Sequence, residues 1–362
     1  MSDLTIALSP STSPRSAQER AGMMRDPGFG RVFTDHMVTA RYARGRGWYE
    51  AGLTAYQPLT LDPATSVLHY GQAIFEGLKA YHQADGSVAV FRPEQNARRF
   101  QRSARRMAMA EVPEQLFLDA VTELVRADRD WVPTEPGEAL YLRPLEIAMD
   151  PFLGVRPAEN YLFLLFASPA GSYFAGGVHP VTVWLSTEYT RAAPGGTGEA
   201  KCAGNYAASL VAQAQAAEQG CDQVVWLDAV EHRYVEEMGG MNLYFVHADG
   251  RLVTPALTGT LLPGVTRDSI LTLGADMGLD VEERLVSTEE WEAGCADGSI
   301  SEVFACGTAA VVTPVGSVKH ARGRFDVADA GSGPVTMKIR EALLGIQSGT
   351  APDTHGWMHA VA

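Results

Sequence analysis

Apolar residues along the chain fall into short runs of two kinds, and their spacing predicts most of the secondary structure. The runs ALYLRPLEIAM (139–149), NYLFLLFAS (160–168), VTVWLS (181–186), QVVWLD (223–228), NLYFV (242–246) and RLVTP (251–255) have the length and β-branched or aromatic content of strands. Val67 to Tyr81 reads as a further extended stretch, turning at Asp85-Gly86 into the strand VAVF. Helical spacing governs other segments. Pro93 suits a first helical turn, and Phe100, Ala104 and Met107 follow on one face of an arginine-rich helix. A second helix is expected over 114–129, and two more over 203–219 and 266–277, ended by Gly220 and Gly278. The Ala-Asp-Gly turn within His247 to Arg251 joins two extended runs and predicts a hairpin, which argues against a simple doubly wound parallel sheet.

These elements give a mixed α/β fold. At 362 residues the chain exceeds what one core usually organises, so two domains are expected. Residues 1–31 show no period and are expected to form a loose arm. Residues 32–167 then make a smaller N-terminal sheet domain. The Gly-rich stretch SPAGSYFAGGVHP (168–180) is the expected linker, and 181–362 a larger C-terminal domain.

Charge narrows the function. A net charge of -14 disfavours a nucleic-acid partner, which would require clustered Lys and Arg for counterion release. No apolar run is long enough to span a membrane, and Cys202, Cys221, Cys295 and Cys306 show neither a disulfide framework nor zinc-ligand spacing. A cytoplasmic protein acting on small molecules, without a metal, is the expectation. Lysine is scarce, with only Lys79, Lys201, Lys319 and Lys338. Lys319 and Lys338 suit solvated surface positions, and Lys79 either snorkels or lines a pocket. Lys201, flanked by glycines in GGTGEAKCAGNY and just before a helix, is preferred as an amine that could attack an aldehyde once desolvated.

Six motifs in order, HYGQAIFEGLKAY, YLRP, KCAGNY, EEMGGMN, LPGVTR and FACGTAA, resemble those of the branched-chain amino acid aminotransferases. That family has the two-domain fold-type IV architecture of pyridoxal-phosphate enzymes, so the resemblance implies a pseudo-barrel second domain around a central cofactor site between the domains. It implies that Lys201 holds pyridoxal 5'-phosphate as a Schiff base and later moves the substrate's α-proton in a ping-pong transamination between L-leucine, L-isoleucine or L-valine and 2-oxoglutarate. Glu237 would face the pyridine nitrogen and keep the ring an electron sink. Tyr206 would bond the phenolic oxygen. The amides of Val265 and Thr266 at a helix N-terminus, with Thr308 and Arg99, would hold the phosphate. Arg98 competes with Arg99, and only the motif's register separates them. Tyr70, Phe75, Tyr141 and Tyr173 would wall the side-chain pocket, Arg143 would engage the distal carboxylate of glutamate, and the amides of Thr308 and Ala309 the α-carboxylate. A homodimer is implied as well.

Each of these residues has a plainer explanation, as capped helix, core aromatic or structural salt bridge. Ala310 and Thr313 stand where some relatives carry a CxxC pair, so thiol regulation of that type is not expected, and Cys202 and Cys306 read as small buried hydrophobes. Gly240 lacks a hydroxyl that some relatives have. D-amino acid aminotransferase and aminodeoxychorismate lyase are the rivals within the fold, and a non-catalytic phosphate-ligand binding protein the rival outside it.

Overall fold

A computed structural model describes residues 4–171, 178–328 and 330–361. The chain divides into two compact units: Met1–Tyr173 with Ala200–Ala203 and Gly345–Ala362, and Phe174–Glu199 with Gly204–Leu344. The first unit contains β1 (Ala7–Leu8), α1 (Ala17–Met24), β2 (His36–Ala43), β3 (Gly47–Ala55), α2 (Ser66–Tyr70), β4 (Ala73–Phe75), β5 (Leu78–His82), β6 (Val88–Phe91), α3 (Pro93–Arg106), α4 (Glu114–Ala127), β7 (Ala139–Ala148) and β8 (Asn160–Ala170). Its sheet runs β1-β3-β2-β8-β7-β5-β6 and ends on the C-terminal strand Met358–Ala360, with β4 paired to β7. Only β1 joins in parallel. Helices α3 and α4 bury Phe100, Ala104, Phe117 and Leu124 against one face of this sheet, where Phe100, Phe117 and Phe163 pack ring to ring at 5.7–6.2 Å.

The second unit contains β9 (Val181–Ser186), α5 (Ala203–Ala207), α6 (Leu210–Glu218), β10 (Gln223–Leu227), β11 (Val235–Met238), β12 (Met241–His247), β13 (Arg251–Pro255), α7 (Val265–Asp276), β14 (Asp280–Arg284), α8 (Thr288–Asp297), β15 (Ile300–Gly307), β16 (Val311–His320), β17 (Gly323–Asp326) and α9 (Pro334–Gln347). Its strands run β11-β10-β9-β16-β15-β12, and the β11–β12 pairing closes them into a six-stranded ring, the expected pseudo-barrel. Parallel β9–β10 and β9–β16 pairs beside antiparallel ones confirm a mixed sheet, and the Ala-Asp-Gly hairpin forms between β12 and β13.

Four expectations are corrected. Of the expected loose arm, residues 4–31 are ordered against the sheet instead: Ser9 N–H donates to Leu53 O as β1 docks on β3, Ile6 is buried, and α1 starts with a capping box on Ser16 and Glu19. A two-residue strand and a mostly exposed helix have too short a pattern to read as structure. Val67 to Tyr81 is not extended throughout, since α2 precedes Gly71, whose φ of 59° turns the chain into β4. The last 18 residues do not belong to the C-terminal unit, because Met358–Ala360 pairs with β6, and the first unit is consequently the larger. Residues Ala200–Ala203, too, leave the second unit for the first.

One core residue is at odds with its surroundings. Glu146 on β7 lies among Ile74, Phe163 and the aromatic core, fully buried, and neither carboxyl oxygen has a hydrogen-bond partner among the described residues. Burial pushes its carboxyl well above the usual range, so it is neutral where an exposed glutamate is charged. In acid both folded and unfolded chains carry it protonated. Above the ordinary carboxylate range only the unfolded chain ionises, so stability falls as pH rises toward neutral. Glu146→Met, similar in volume and without the orphaned oxygens, is expected to stabilise the fold by about 1–3 kcal/mol at pH 7 and to flatten this slope, measured by urea unfolding at pH 5 and pH 7.

Candidate active site

The register of the first sheet decides which side chains gather. Along β7, Leu140 and Leu142 join the helix-covered core, so the alternate residues Tyr141 and Arg143 face the other way. Phe75 on β4, opposite Leu145, shares that side, and the Arg143 guanidinium sits 4.9 Å from its ring centre and 5.3 Å from that of Tyr141. Arg143 Nη2 also donates to the Tyr141 hydroxyl at 3.2 Å. Its Nε is buried without a partner among the described residues, and no carboxylate pairs with it there, so the salt-bridge explanation for this arginine does not apply. A Cβ at Gly77 would lie 1.9 Å from the Tyr141 hydroxyl oxygen, so only glycine at that position leaves room for the ring.

Lys201 comes to the same place because its backbone is held there. Its N–H donates to Ser103 Oγ of α3 at 2.9 Å, its carbonyl accepts Phe75 N–H at 3.0 Å, and Cys202 makes an isolated bridge to Ile74. The amine lies 5.0 Å from the centre of the Phe75 ring. One aromatic ring thus carries both the Lys201 amine and the Arg143 guanidinium.

Behind Phe75, Glu76 accepts two hydrogen bonds from Arg99, at 2.7 and 2.8 Å, and a third from Asn96 at 2.8 Å. Desolvation is the largest influence on Glu76 and opposes its charge, yet Arg99, Lys201 and Asn96 together hold the carboxyl below the usual range. Arg98, in contrast, is exposed and pairs with half-buried Glu114. Of the two competing arginines, Arg99 is the buried one.

In the second unit β11 presents Glu237, buried, opposite Asn242 across the two-residue Gly239-Gly240 turn. Glu237 Oε1 accepts Leu262 N–H, and Arg191 Nε stands 3.2 Å from Oε2. Leu262 leads directly into α7, where Gly264 offers no side-chain cap and the Val265 and Thr266 amides have no partner among the described residues. Such an N-terminus favours an anion. Gly264 itself is forced, since a Cβ there would strike Asn242 Oδ1 at 2.2 Å. Thr308 and Ala309 form the turn between β15 and β16, closed by Val311 at a φ of 63°, which is strained for a β-branched residue. Tyr206 on α5 lies beside Gly240, where an added Cβ would touch the ring at 3.5 Å. Cys306 and Cys202 are both buried, and burial pushes the Cys306 thiol up, as for an inert core cysteine.

Within the first unit, then, Lys201, Phe75, Tyr141 and Arg143 come together. Tyr70 is not among them: it is 44% exposed, its hydroxyl donates to Leu153 O, and its ring stacks on Phe152. Tyr173 lies outside the described residues. Sequence pattern alone misses Glu76, Ser103 and Arg191, whose partners are far away in the chain, and Phe29, which packs edge-on against Tyr141 at 4.9 Å. FEG in the resembling motif is the one available hint for Glu76.

Comparison with known proteins decides the family. The model of amino-transferase class IV matches residues 73–318. The chain belongs to the class IV aminotransferases. Among its relatives, the branched-chain-amino-acid aminotransferase of Mycolicibacterium smegmatis is 58% identical over 359 residues, 98% of each chain. Among solved structures, the Escherichia coli branched-chain amino acid aminotransferase superposes with a TM-score of 0.75 at 29% identity, covering 89% of this chain and 99% of its own. The branched-chain amino acid aminotransferase of Thermobaculum terrenum, solved in its PLP-form, gives a TM-score of 0.73 at 25% identity, covering 90% of this chain and 98% of its own.

In this aminotransferase the Glu76–Arg99 pair supports the Lys201 platform and generates a direct test. Glu76→Met removes the carboxylate that neutralises a buried guanidinium and is expected to cost about 3–5 kcal/mol in urea unfolding at pH 7, most of it recovered in the double variant Glu76→Met/Arg99→Met. Because the folded carboxyl is depressed, wild-type stability from this pair is present above the ordinary glutamate range and is lost as pH falls through the folded value; the double variant should lack that acid loss.

Proposed function

We propose that this chain is a branched-chain-amino-acid transaminase that uses pyridoxal 5'-phosphate to move the amino group of L-leucine, L-isoleucine or L-valine onto 2-oxoglutarate, giving the 2-oxo acid and L-glutamate. The observation that carries this reading is the Phe75 ring shared by the Lys201 amine and the Arg143 guanidinium. Amino-group chemistry at Lys201 then has an apolar aromatic surface and a carboxylate-binding cation beside it, which are the two features needed by a site that accepts both leucine and glutamate.

The donor set fits the cofactor. Lys201 supplies a primary amine for its aldehyde, the uncapped N-terminus of α7 supplies the Val265 and Thr266 amides for its phosphate, and Glu237 is a buried carboxylate suited to a protonated ring nitrogen. Thr308 and Arg99 complete the phosphate set in this reading, and Tyr206 takes the phenolic oxygen. When bound, the cofactor supplies an electrophilic carbon and a ring that accepts electrons.

The protein's own residues do the remaining work. With the cofactor bound, Lys201 would be the general base that takes the proton from the substrate's Cα and would deliver it to the cofactor's aldehyde-derived carbon. Its backbone bonds to Ser103 and Phe75 keep the amine in range through both transfers. Phe75 and Tyr141 pack the branched side chain, and the Tyr70 and Tyr173 assignments rest on the family resemblance alone. The amides of Thr308 and Ala309 take the α-carboxylate. Arg143, with its orphaned Nε, takes the distal carboxylate of glutamate. On the same resemblance the working form is a cytoplasmic homodimer.

The experiment separates the two half-reactions. Purified protein mixed with L-leucine and 2-oxoglutarate should form glutamate, and D-alanine in place of L-leucine should not; the opposite preference would favour the D-amino acid relative. In Arg143→Met, kcat/KM for 2-oxoglutarate should fall about 10- to 100-fold, while 4-methyl-2-oxopentanoate with glutamate-free amino donors stays within a few-fold of wild type. Equal losses for both oxo acids would remove Arg143 from this role.

A further inference from the structure

We infer that Arg191 is a positioning residue for the amino-group transfer, keeping Glu237 in its ionised form and fixed in place so that a bound cofactor's ring nitrogen retains its proton. The inference rests on the Glu237 assignment of the preceding section and adds a residue to it.

The geometry is specific to this arginine. Its side chain is 7% exposed and that of Glu237 is 3% exposed, so both charges lie away from water. Arg191 Nη2 donates to Thr260 O and, at 3.3 Å, to Gly198 O, which ties down the segments on either side of it. Both bonds are made by Nη2, and Nε is turned toward Glu237 Oε2 at 3.2 Å, near enough for charge attraction but without the geometry of a hydrogen bond. The other oxygen, Oε1, accepts Leu262 N–H. Glu237 is therefore held at both ends, by a charge on one oxygen and by a backbone amide on the other.

The chemistry follows from what burial does to a carboxyl. Desolvation favours the neutral acid, and next to a hydrogen-bonded pyridinium the easiest source of a proton is the ring itself. A proton that passes from ring nitrogen to Glu237 leaves two neutral groups and a ring that accepts electrons less well. The Arg191 charge makes that transfer unfavourable because it stabilises the carboxylate and not the acid. The neighbouring Glu236, also buried, shows how strongly burial acts here: desolvation raises its pKa although the Thr260 hydroxyl bonds it and the Arg191 charge favours its ionised form.

The test reads the ring nitrogen directly. Holoprotein is prepared with cofactor carrying 15N in the ring, and its 15N chemical shift is compared in wild type, Arg191→Lys and Arg191→Met. Wild type should give the pyridinium position, Arg191→Lys should stay near it because the charge is kept, and Arg191→Met should move toward the neutral pyridine position. Should the methionine variant not fold, Arg191→Gln, which keeps a donor for the Thr260 and Gly198 carbonyls, makes the same measurement. An unchanged shift in the uncharged variants, or an equal displacement in Arg191→Lys, overturns the role of Arg191. A neutral nitrogen already in wild type overturns the Glu237 assignment instead, so the two failures are distinguishable.

Discussion

The backbone of Lys201 is pinned between a strand and a helix, and the rest of the site depends on that attachment. A lysine side chain has four rotatable carbons and would wander if its main chain did as well. Here the main chain donates to Ser103 Oγ and accepts from Phe75 N–H, while Cys202 bridges Ile74. The consequence is architectural: the four residues Ala200–Ala203 belong to the first compact unit although their sequence neighbours on both sides belong to the second. The amine is thereby delivered to the ring of Phe75, which β7 also supplies with Arg143.

Around this attachment the buried charges are arranged by a common rule. Glu76 has Arg99 and Glu237 has Arg191, and each pair also uses a neutral donor: Asn96 Nδ2 adds a second bond to the Glu76 Oε2 that Arg99 already holds, and Leu262 N–H takes the Glu237 oxygen that Arg191 does not face. A buried ion pair contributes little net stability compared with apolar residues of the same shape, so its retention points to position and charge state as what it provides. Glu146 shows what happens without a partner: burial leaves it neutral and it holds nothing in place.

Much of this is legible in the sequence because it depends on local pattern. Strand runs, the two hairpins and the helices from Pro93 and Glu114 follow from spacing and turn residues within about fifteen positions. The preference for Lys201 comes from scarcity and flanking glycines, and the motif order supplies the roles. What stays hidden depends on long-range pairing. Nothing near Ser103 announces that it will hold an amide 98 positions away, and nothing near Met358 says that the chain returns to β6. The opening residues look featureless because they contribute two strand residues, a mostly exposed helix and two buried side chains, Ile6 and Pro27. Tyr70 shows the reverse situation, since its motif suggests a pocket wall while within the first unit its ring, 44% exposed, stacks on Phe152.

The central claim is that this pinned amine, and no other, carries the cofactor. Borohydride reduction of the native holoprotein followed by tryptic peptide mass mapping tests it most directly. The account predicts one phosphopyridoxyl group per chain, located on the peptide containing Lys201. A group located on Lys79, Lys319 or Lys338, or a protein that takes up the cofactor and yields no reduced adduct, would contradict it.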